Sequence, residues 1–315
     1  MTPIVEQLLE MTQTALNTAI ELQVAEAASG QLTNAQSDQH VSRDGHQITI
    51  QIQDQTNVDY GASHELLHLL LPTRGYPELQ FDLLTGEPKL DEQYQTIATA
   101  LYNAALHVVI RQWQADNGLL TEAVRQQLEQ GFEASVPQEA DQVANNMVVF
   151  HVLALLDQMV LLDGGDEVTT ATWQARYPHA VEPAASLYAV LSAKPIADPF
   201  SLRRAVVKLF ARFNQVLGQL GFANMNLAEY VTLPPVLSAR QLRLQLNQTY
   251  LIQHSGYYDR RTKKEAYVAL GNGDNQTAFV LPLTGKQTTA EAFQALYQQP
   301  LGTVLTQFDI SATQR

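Results

Sequence analysis

Two adjacent segments constrain the fold of this chain more than any others: residues 46–53 and residues 62–71. The first alternates apolar and polar side chains with a period of two, which predicts a half-buried strand. The second carries leucines on nearly every side of a helix, which predicts a buried helix. Asn57 or Asp59 can cap the start of this helix, and Pro72 is expected to end it. We therefore expect a strand that leads directly into a buried helix.

The predicted buried helix carries the motif His-Glu-Leu-Leu-His at residues 64–68. Residues four apart lie on one helix face, so His64 and His68 can bind the same zinc ion at about 2.0–2.1 Å. Zinc lowers the pKa of a bound water toward about 7, and Glu65 can act as the general base that takes its proton. The motif predicts a zinc-dependent metallopeptidase of the zincin type, which hydrolyses a peptide or protein substrate. The competing interpretation is a core helix that carries two histidines without a metal.

A catalytic zinc needs a third protein ligand, and no further histidine follows at the spacing of the longer zincin motifs. The next predicted helix, residues 91–113, offers Glu92 at its start, 24 residues after His68, where a carboxylate suits an antiparallel return of the chain and the helix dipole. The competing interpretation of Glu92 is an ordinary first-turn acid. His107 is the second choice, although its apolar neighbours favour a hydrogen-bonded core histidine, and Asp91 is a weaker choice. Glu92 and His107 lie about 22 Å apart along a helix, so they cannot serve one ion. Glu92 is the leading candidate.

Three tyrosines near the motif and the next helix are candidates for a supporting role. Tyr60, Tyr76 or Tyr102 can stabilise an oxyanion if its hydroxyl faces the zinc, and the sequence does not choose among them. His151, in a predicted apolar helix at residues 138–162, is expected to be a core histidine whose hydrogen bonds are satisfied.

Residues 59–70 resemble the IpaB/EvcA family, a group of bacterial proteins of unassigned function. The short stretches at residues 75–77 and 91–93 carry the same resemblance, which is clearest over residues 44–120.

The resemblance implies acidic residues where this chain has Ala100 and Asn103. If the acid at position 100 is the third ligand in that family, this chain lacks it. A second hypothesis follows: a catalytically inactive zincin-fold protein that binds a peptide, a metal or a protein partner.

Composition limits the classes of function. The chain has 315 residues, of which 45% are hydrophobic and 16% are charged, as in an ordinary globular protein. A net charge of −13 argues against nucleic acid as a partner, because phosphate binding needs a basic face. The chain contains no cysteine, so it carries no disulfide and no thiolate metal site, which fits the cytoplasm.

Two segments bear on export and on membranes. Residues 1–24 predict an amphipathic helix rather than a signal peptide, because polar residues recur within the apolar pattern. Residues 147–162 come closest to a membrane span, but His151, Asp157 and Gln158 interrupt them. We therefore expect a cytoplasmic protein that does not bind a membrane.

The turn signal Asp-Gly-Gly-Asp at residues 163–166 divides the chain into two expected regions. The fold class predicted is α+β, with a mainly helical, zincin-like domain with a small sheet at residues 1–163. Residues 164–315 are expected to form a helix that starts at Asp198-Pro199, followed by a small antiparallel sheet that binds a partner or substrate. The strands expected in that sheet are residues 249–253, 265–270 and 277–281, and a helix at residues 290–298 follows.

Overall fold

The computed structural model of this chain describes residues 1–33, 37–41, 47–139 and 147–315. Helices make up most of these residues, and the strands form small sheets, so the predicted α+β class is confirmed. Within the described ranges, no helix has both the length and the apolar composition that crossing a bilayer requires.

The helices of the described chain are α1 (Pro3–Leu16), α2 (Val58–Thr73), α3 (Pro88–Asp116), α4 (Glu122–Ser135), α5 (Met147–Leu161), α6 (Glu167–Arg176), α7 (Val181–Ser192), α8 (Pro199–Gln219), α9 (Leu227–Tyr230), α10 (Ala239–Leu242), α11 (Ala290–Tyr297) and α12 (Leu301–Gln307). The strands are β1 (Ala19–Val24), β2 (Ser37–Val41), β3 (Gln47–Ile52), β4 (Leu83–Leu84), β5 (Val236–Leu237), β6 (Tyr250–Asp259), β7 (Glu265–Gly271), β8 (Thr277–Leu281) and β9 (Thr313–Gln314).

The chain packs as two compact units, and each is made of two separate segments. The first unit comprises Met1–Arg74 and Leu106–Tyr188, and the second comprises Gly75–Ala105 and Ala189–Arg315. Helix α3 runs continuously through the boundary at residues 105 and 106. These units differ from the two consecutive regions expected from the sequence.

The expected boundary at residue 163 falls inside the first unit, because the helices after it pack onto α4. The hydroxyl of Thr169 in α6 donates to the carboxylate of Glu129 at 2.7 Å. The buried Tyr177 donates from its hydroxyl to the carbonyl of Val136 at 2.9 Å. The glycine-rich turn at residues 163–166 therefore connects two helices of one unit.

The sheet of the first unit places β3 between β1 and β2. β1 pairs with β3 in parallel, with Ile20 opposite Ile48, and β2 pairs with β3 antiparallel. The single helix predicted for residues 1–24 was wrong beyond Leu16. Asn17 takes a left-handed backbone conformation with φ of 51° that ends α1, and the next residues gain backbone partners on β3.

The predicted strand forms as β3, and the predicted helix that carries the motif forms as α2. Asn57 caps α2 by accepting a hydrogen bond from the backbone N–H of Tyr60 at 3.0 Å. Pro72 lies inside the last turn of α2, which continues to Thr73. Proline has no backbone N–H, so only one hydrogen bond of that turn is missing. The helix therefore ends one residue later than predicted.

The second unit contains the antiparallel sheet predicted near the C-terminus, with strand order β4, β6, β7, β8. α8 begins at a capping box, in which Asp198 accepts from the N–H of Ser201 at 2.7 Å. The sheet packs its buried face into a core that includes Phe279, Leu301 and Val304. The helix start and the three predicted strands of this sheet are thus confirmed.

Two helical glycines give a matched test of packing. A methyl group at Gly131 in α4 would overlap the backbone carbonyl of Leu32, whereas one at Gly218 in α8 would meet open space. We expect Gly131→Ala to lower the free energy of unfolding by about 1–3 kcal/mol through overpacking. Gly218→Ala should raise it by about 0.5–1 kcal/mol, because alanine favours the helix. Urea denaturation measures both, and equal effects would contradict the close approach at Gly131.

Candidate metal centre

Three histidines from two helices meet inside the first unit. His64 and His68 lie one turn apart on α2, and α3 supplies His107. The ring centroids are 4.7 Å apart for His64 and His68, 4.8 Å for His64 and His107, and 5.2 Å for His68 and His107. One ring nitrogen from each histidine lies within 4.8 Å of the others. Three imidazoles therefore converge on one small volume.

The spacing of two of these nitrogens fits a shared ion. Nε2 of His68 and Nε2 of His107 lie 3.1 Å apart. Two imidazole nitrogens bound to one tetrahedral zinc at 2.0–2.1 Å stand about 3.3 Å from each other. Without an ion, one of the two nitrogens must donate a proton to the other.

A carboxylate on a third helix orients His107. Oδ1 of Asp157, on α5, lies 2.5 Å from Nδ1 of His107. A proton on Nδ1 is donated to the carboxylate, which leaves Nε2 of His107 as the lone-pair nitrogen that faces His68. Carboxylates commonly fix metal-binding histidines in this way.

The environment keeps two of the imidazoles neutral. Burial lowers the pKa of His64 well below its ordinary value, and the neighbouring histidines lower it further. Burial, followed by His107, lowers the pKa of His68 to about 3, against an opposing effect of Asp157. Among the described residues, the buried Nδ1 of His64 has no hydrogen-bond partner. Neutral imidazoles and an unpartnered buried nitrogen fit a bound zinc ion.

Polar contacts hold the two histidine-bearing helices together. The fully buried Gln114 on α3 donates from its side-chain amide to the Ser63 hydroxyl at 3.0 Å and to the Tyr60 carbonyl at 3.1 Å. Glu65, the predicted general base, is buried on α2 beside His64. The motif is thus set on a helix whose position against α3 is fixed by hydrogen bonds.

Glu92, the leading candidate for the third ligand, is not part of this cluster. It is exposed at the start of α3, four turns and about 22 Å before His107 along the same helix. Asp91 is buried, and its Oδ1 accepts from the Thr85 N–H at 2.7 Å and from the Tyr230 hydroxyl at 3.0 Å. The third imidazole comes from His107, the second choice.

Asp157 is not predicted as a site residue from the sequence. The signal for it is that Asp157 interrupts the apolar run at residues 147–162. A lone carboxylate in an otherwise apolar helix needs a partner, because burying it alone is costly.

The three candidate tyrosines and His151 lie in different surroundings. Tyr76 and Tyr102 belong to the second unit, and the Tyr102 hydroxyl donates to the carbonyl of Pro77 at 3.0 Å. Tyr60 lies one turn before His64, with ring centroids 6.4 Å apart. His151 is buried as expected, and its Nδ1 lies 3.8 Å from Oε1 of Glu139, beyond hydrogen-bond distance. Neither ring nitrogen has a hydrogen-bond partner among the described residues.

The lowered histidine pKa values predict a pH dependence for the metal-free protein. The folded state keeps His68 neutral down to about pH 3, whereas an unfolded histidine takes up a proton below about pH 6.5. The unfolded state therefore binds more protons, and the free energy of unfolding should fall as the pH is lowered from about 6.5 toward 3. Urea denaturation with a chelator at several pH values measures this fall.

Two variants control that experiment. The double variant His64→Gln with His68→Gln should show a shallower fall, because it lacks the two imidazoles whose pKa values are lowered. His254→Gln makes the same change at an exposed histidine of β6, and its slope is the reference for the double variant. An unchanged slope in the double variant would assign the pH dependence to other groups.

Comparison with protein-family models, curated proteins and solved structures finds no match to this chain. The resemblance to the IpaB/EvcA family and the zincin-like layout of the first unit therefore stay predictions.

Proposed function

We propose that this chain is a zinc-dependent metallopeptidase of the HExxH type. His64, His68 and His107 hold the metal, and Glu65 is the general base. The observation that carries the proposal is the convergence of three imidazoles at the motif, one of them oriented by Asp157. Catalytic zinc sites use three protein ligands and leave a fourth position open, whereas structural sites use four.

The side chains divide the work of hydrolysis. Zinc, when bound, supplies Lewis-acid activation of water and of the scissile carbonyl. Glu65 takes a proton from the attacking water and passes it to the leaving amine, so the proton balance closes. Asp157 holds His107 in the tautomer whose Nε2 carries the lone pair. His68 is the ring of the three that is only partly buried, so substrate would approach from its side.

Metal content and peptide cleavage test the proposal together. Protein purified without chelators should carry about one zinc per chain by elemental analysis, as a site with three histidines requires. It should cleave members of a mixed peptide library, with products identified by mass spectrometry. Chelation should remove both zinc and cleavage, and added zinc should restore both. Native protein that neither carries nor takes up zinc would contradict the proposal.

A second candidate function is a metal-binding protein without turnover. His64 and His107 are each only 4% exposed, and such burial restricts the approach of a peptide. Zinc binding without cleavage of any library peptide would favour this function.

A further inference from the structure

The Tyr60 hydroxyl is a buried polar group that the proposed chemistry does not yet use. Tyr60 is 3% exposed, and its hydroxyl has no hydrogen-bond partner among the residues that the structure describes. A buried hydroxyl without a partner loses its hydrogen bonds to water and gains none in return. Such groups are uncommon in folded proteins, because buried hydroxyls are normally paired with protein groups, water or a ligand.

Tyr60 is aligned with the metal centre by the helix itself. Residues 60, 64 and 68 recur every four positions along α2, so Tyr60 shares a face with His64 and His68. The Tyr60 and His64 rings are stacked at an interplanar angle of 30°. The ring therefore lies next to the histidine cluster.

The backbone of Tyr60 is fixed on both sides. Its N–H donates to the capping side chain of Asn57 at 3.0 Å, and its carbonyl accepts from the amide of Gln114 at 3.1 Å and from the hydroxyl of Ser63 at 3.0 Å. These bonds hold the residue in place while its hydroxyl stays unpaired with any described residue.

The phenol also keeps its proton. A phenol has an ordinary pKa of about 10, so it is protonated at neutral pH. A protonated phenol beside a metal site is a hydrogen-bond donor, and donors of this kind stabilise negative charge that develops on oxygen.

We infer that the Tyr60 hydroxyl donates a hydrogen bond to an anion that enters the histidine centre. The ligand class is a small anion or the anionic oxygen of a peptide carbonyl under attack. This inference rests on the proposed metal site and assigns Tyr60 the part that the sequence left open among three tyrosines. Tyr102 cannot take that part, because its hydroxyl already donates to the Pro77 carbonyl.

Azide binding to cobalt-substituted protein tests this inference without an activity assay. Azide that enters the centre changes the visible spectrum of Co²⁺, so a titration gives its dissociation constant. Tyr60→Phe should bind Co²⁺ with native affinity but bind azide about tenfold to a hundredfold more weakly, the effect of one hydrogen bond to a charged group. Tyr102→Phe is the matched control and should bind azide as the native protein does.

The outcomes separate the inference from the proposed function. Native azide affinity in Tyr60→Phe would overturn the inference and leave the metal centre standing, as would a cobalt spectrum that azide does not change in native protein. Failure of native protein to bind Co²⁺ would overturn the metal centre and the inference with it. The melting temperature of Tyr60→Phe should stay near native, because no described hydrogen bond is lost. If Tyr60→Phe does not fold, Tyr60→Met also removes the hydroxyl and answers the same question.

Discussion

Replacing His107 with alanine should remove most of the zinc from the purified protein, whereas Glu92→Gln should leave the zinc content unchanged. His107 supplies one of three converging imidazoles, and Glu92 is exposed far from them along α3. Loss of one ligand of three should weaken zinc binding more than the tenfold to hundredfold that removing an orienting partner costs. A competition titration with a zinc-binding dye measures the change.

Asp157→Asn should have an intermediate effect on zinc binding in the same titration. The amide can no longer accept the proton of His107 Nδ1 as a charged group, so we expect zinc binding to weaken by about tenfold to a hundredfold. The order of effects should be His107→Ala, then Asp157→Asn, then Glu92→Gln with none. A loss of zinc in Glu92→Gln and none in His107→Ala would contradict the histidine cluster as the metal site.

Glu65→Gln should abolish hydrolysis and keep zinc. Glu65 has no place among the three converging ligands, so a neutral amide should leave metal binding intact. Loss of general-base catalysis alone lowers a rate by about 10²–10⁴-fold. Native protein and variant are compared on the peptide library by mass spectrometry, with zinc content measured on the same samples.

Glu92→Gln is also the matched control for this experiment, because it makes the same chemical change at an exposed carboxylate. It should cleave at the native rate. Native-rate cleavage by Glu65→Gln would rule out Glu65 as the base, and absence of cleavage by the native protein would favour a metal centre without turnover.

The sequence predicts those elements that depend on interactions between residues a few positions apart. The alternation that gave β3, the Asn57 cap and the Asp198 capping box each act over a few residues, so the sequence displays them directly. The motif on α2 belongs to the same class, because residues four apart must share a helix face.

The wrong predictions concern contacts between segments that are distant in the sequence. β1 forms because residues 19–24 pair in parallel with β3, and their sequence alone continues a helical pattern. His107 lies 39 residues after His68, and Asp157 lies 50 residues after His107. Both reach the site only when α3 and α5 pack. The preference for Glu92 rested on an expected antiparallel return of the chain and on the helix dipole, and the helices pack so that His107 reaches the motif instead.

The division of the chain into units has a consequence for its engineering. Each unit is built from two segments, and the first is interrupted by residues 75–105 of the second. No single cut separates them: a fragment that ends at residue 163 lacks residues 164–188 of the first unit and keeps only residues 75–105 of the second. A cut after residue 188 would keep both segments of the first unit but would leave residues 75–105 of the second unit attached to it. A fragment that carries the three histidines in a complete first unit therefore always carries this inserted segment of the other unit as well.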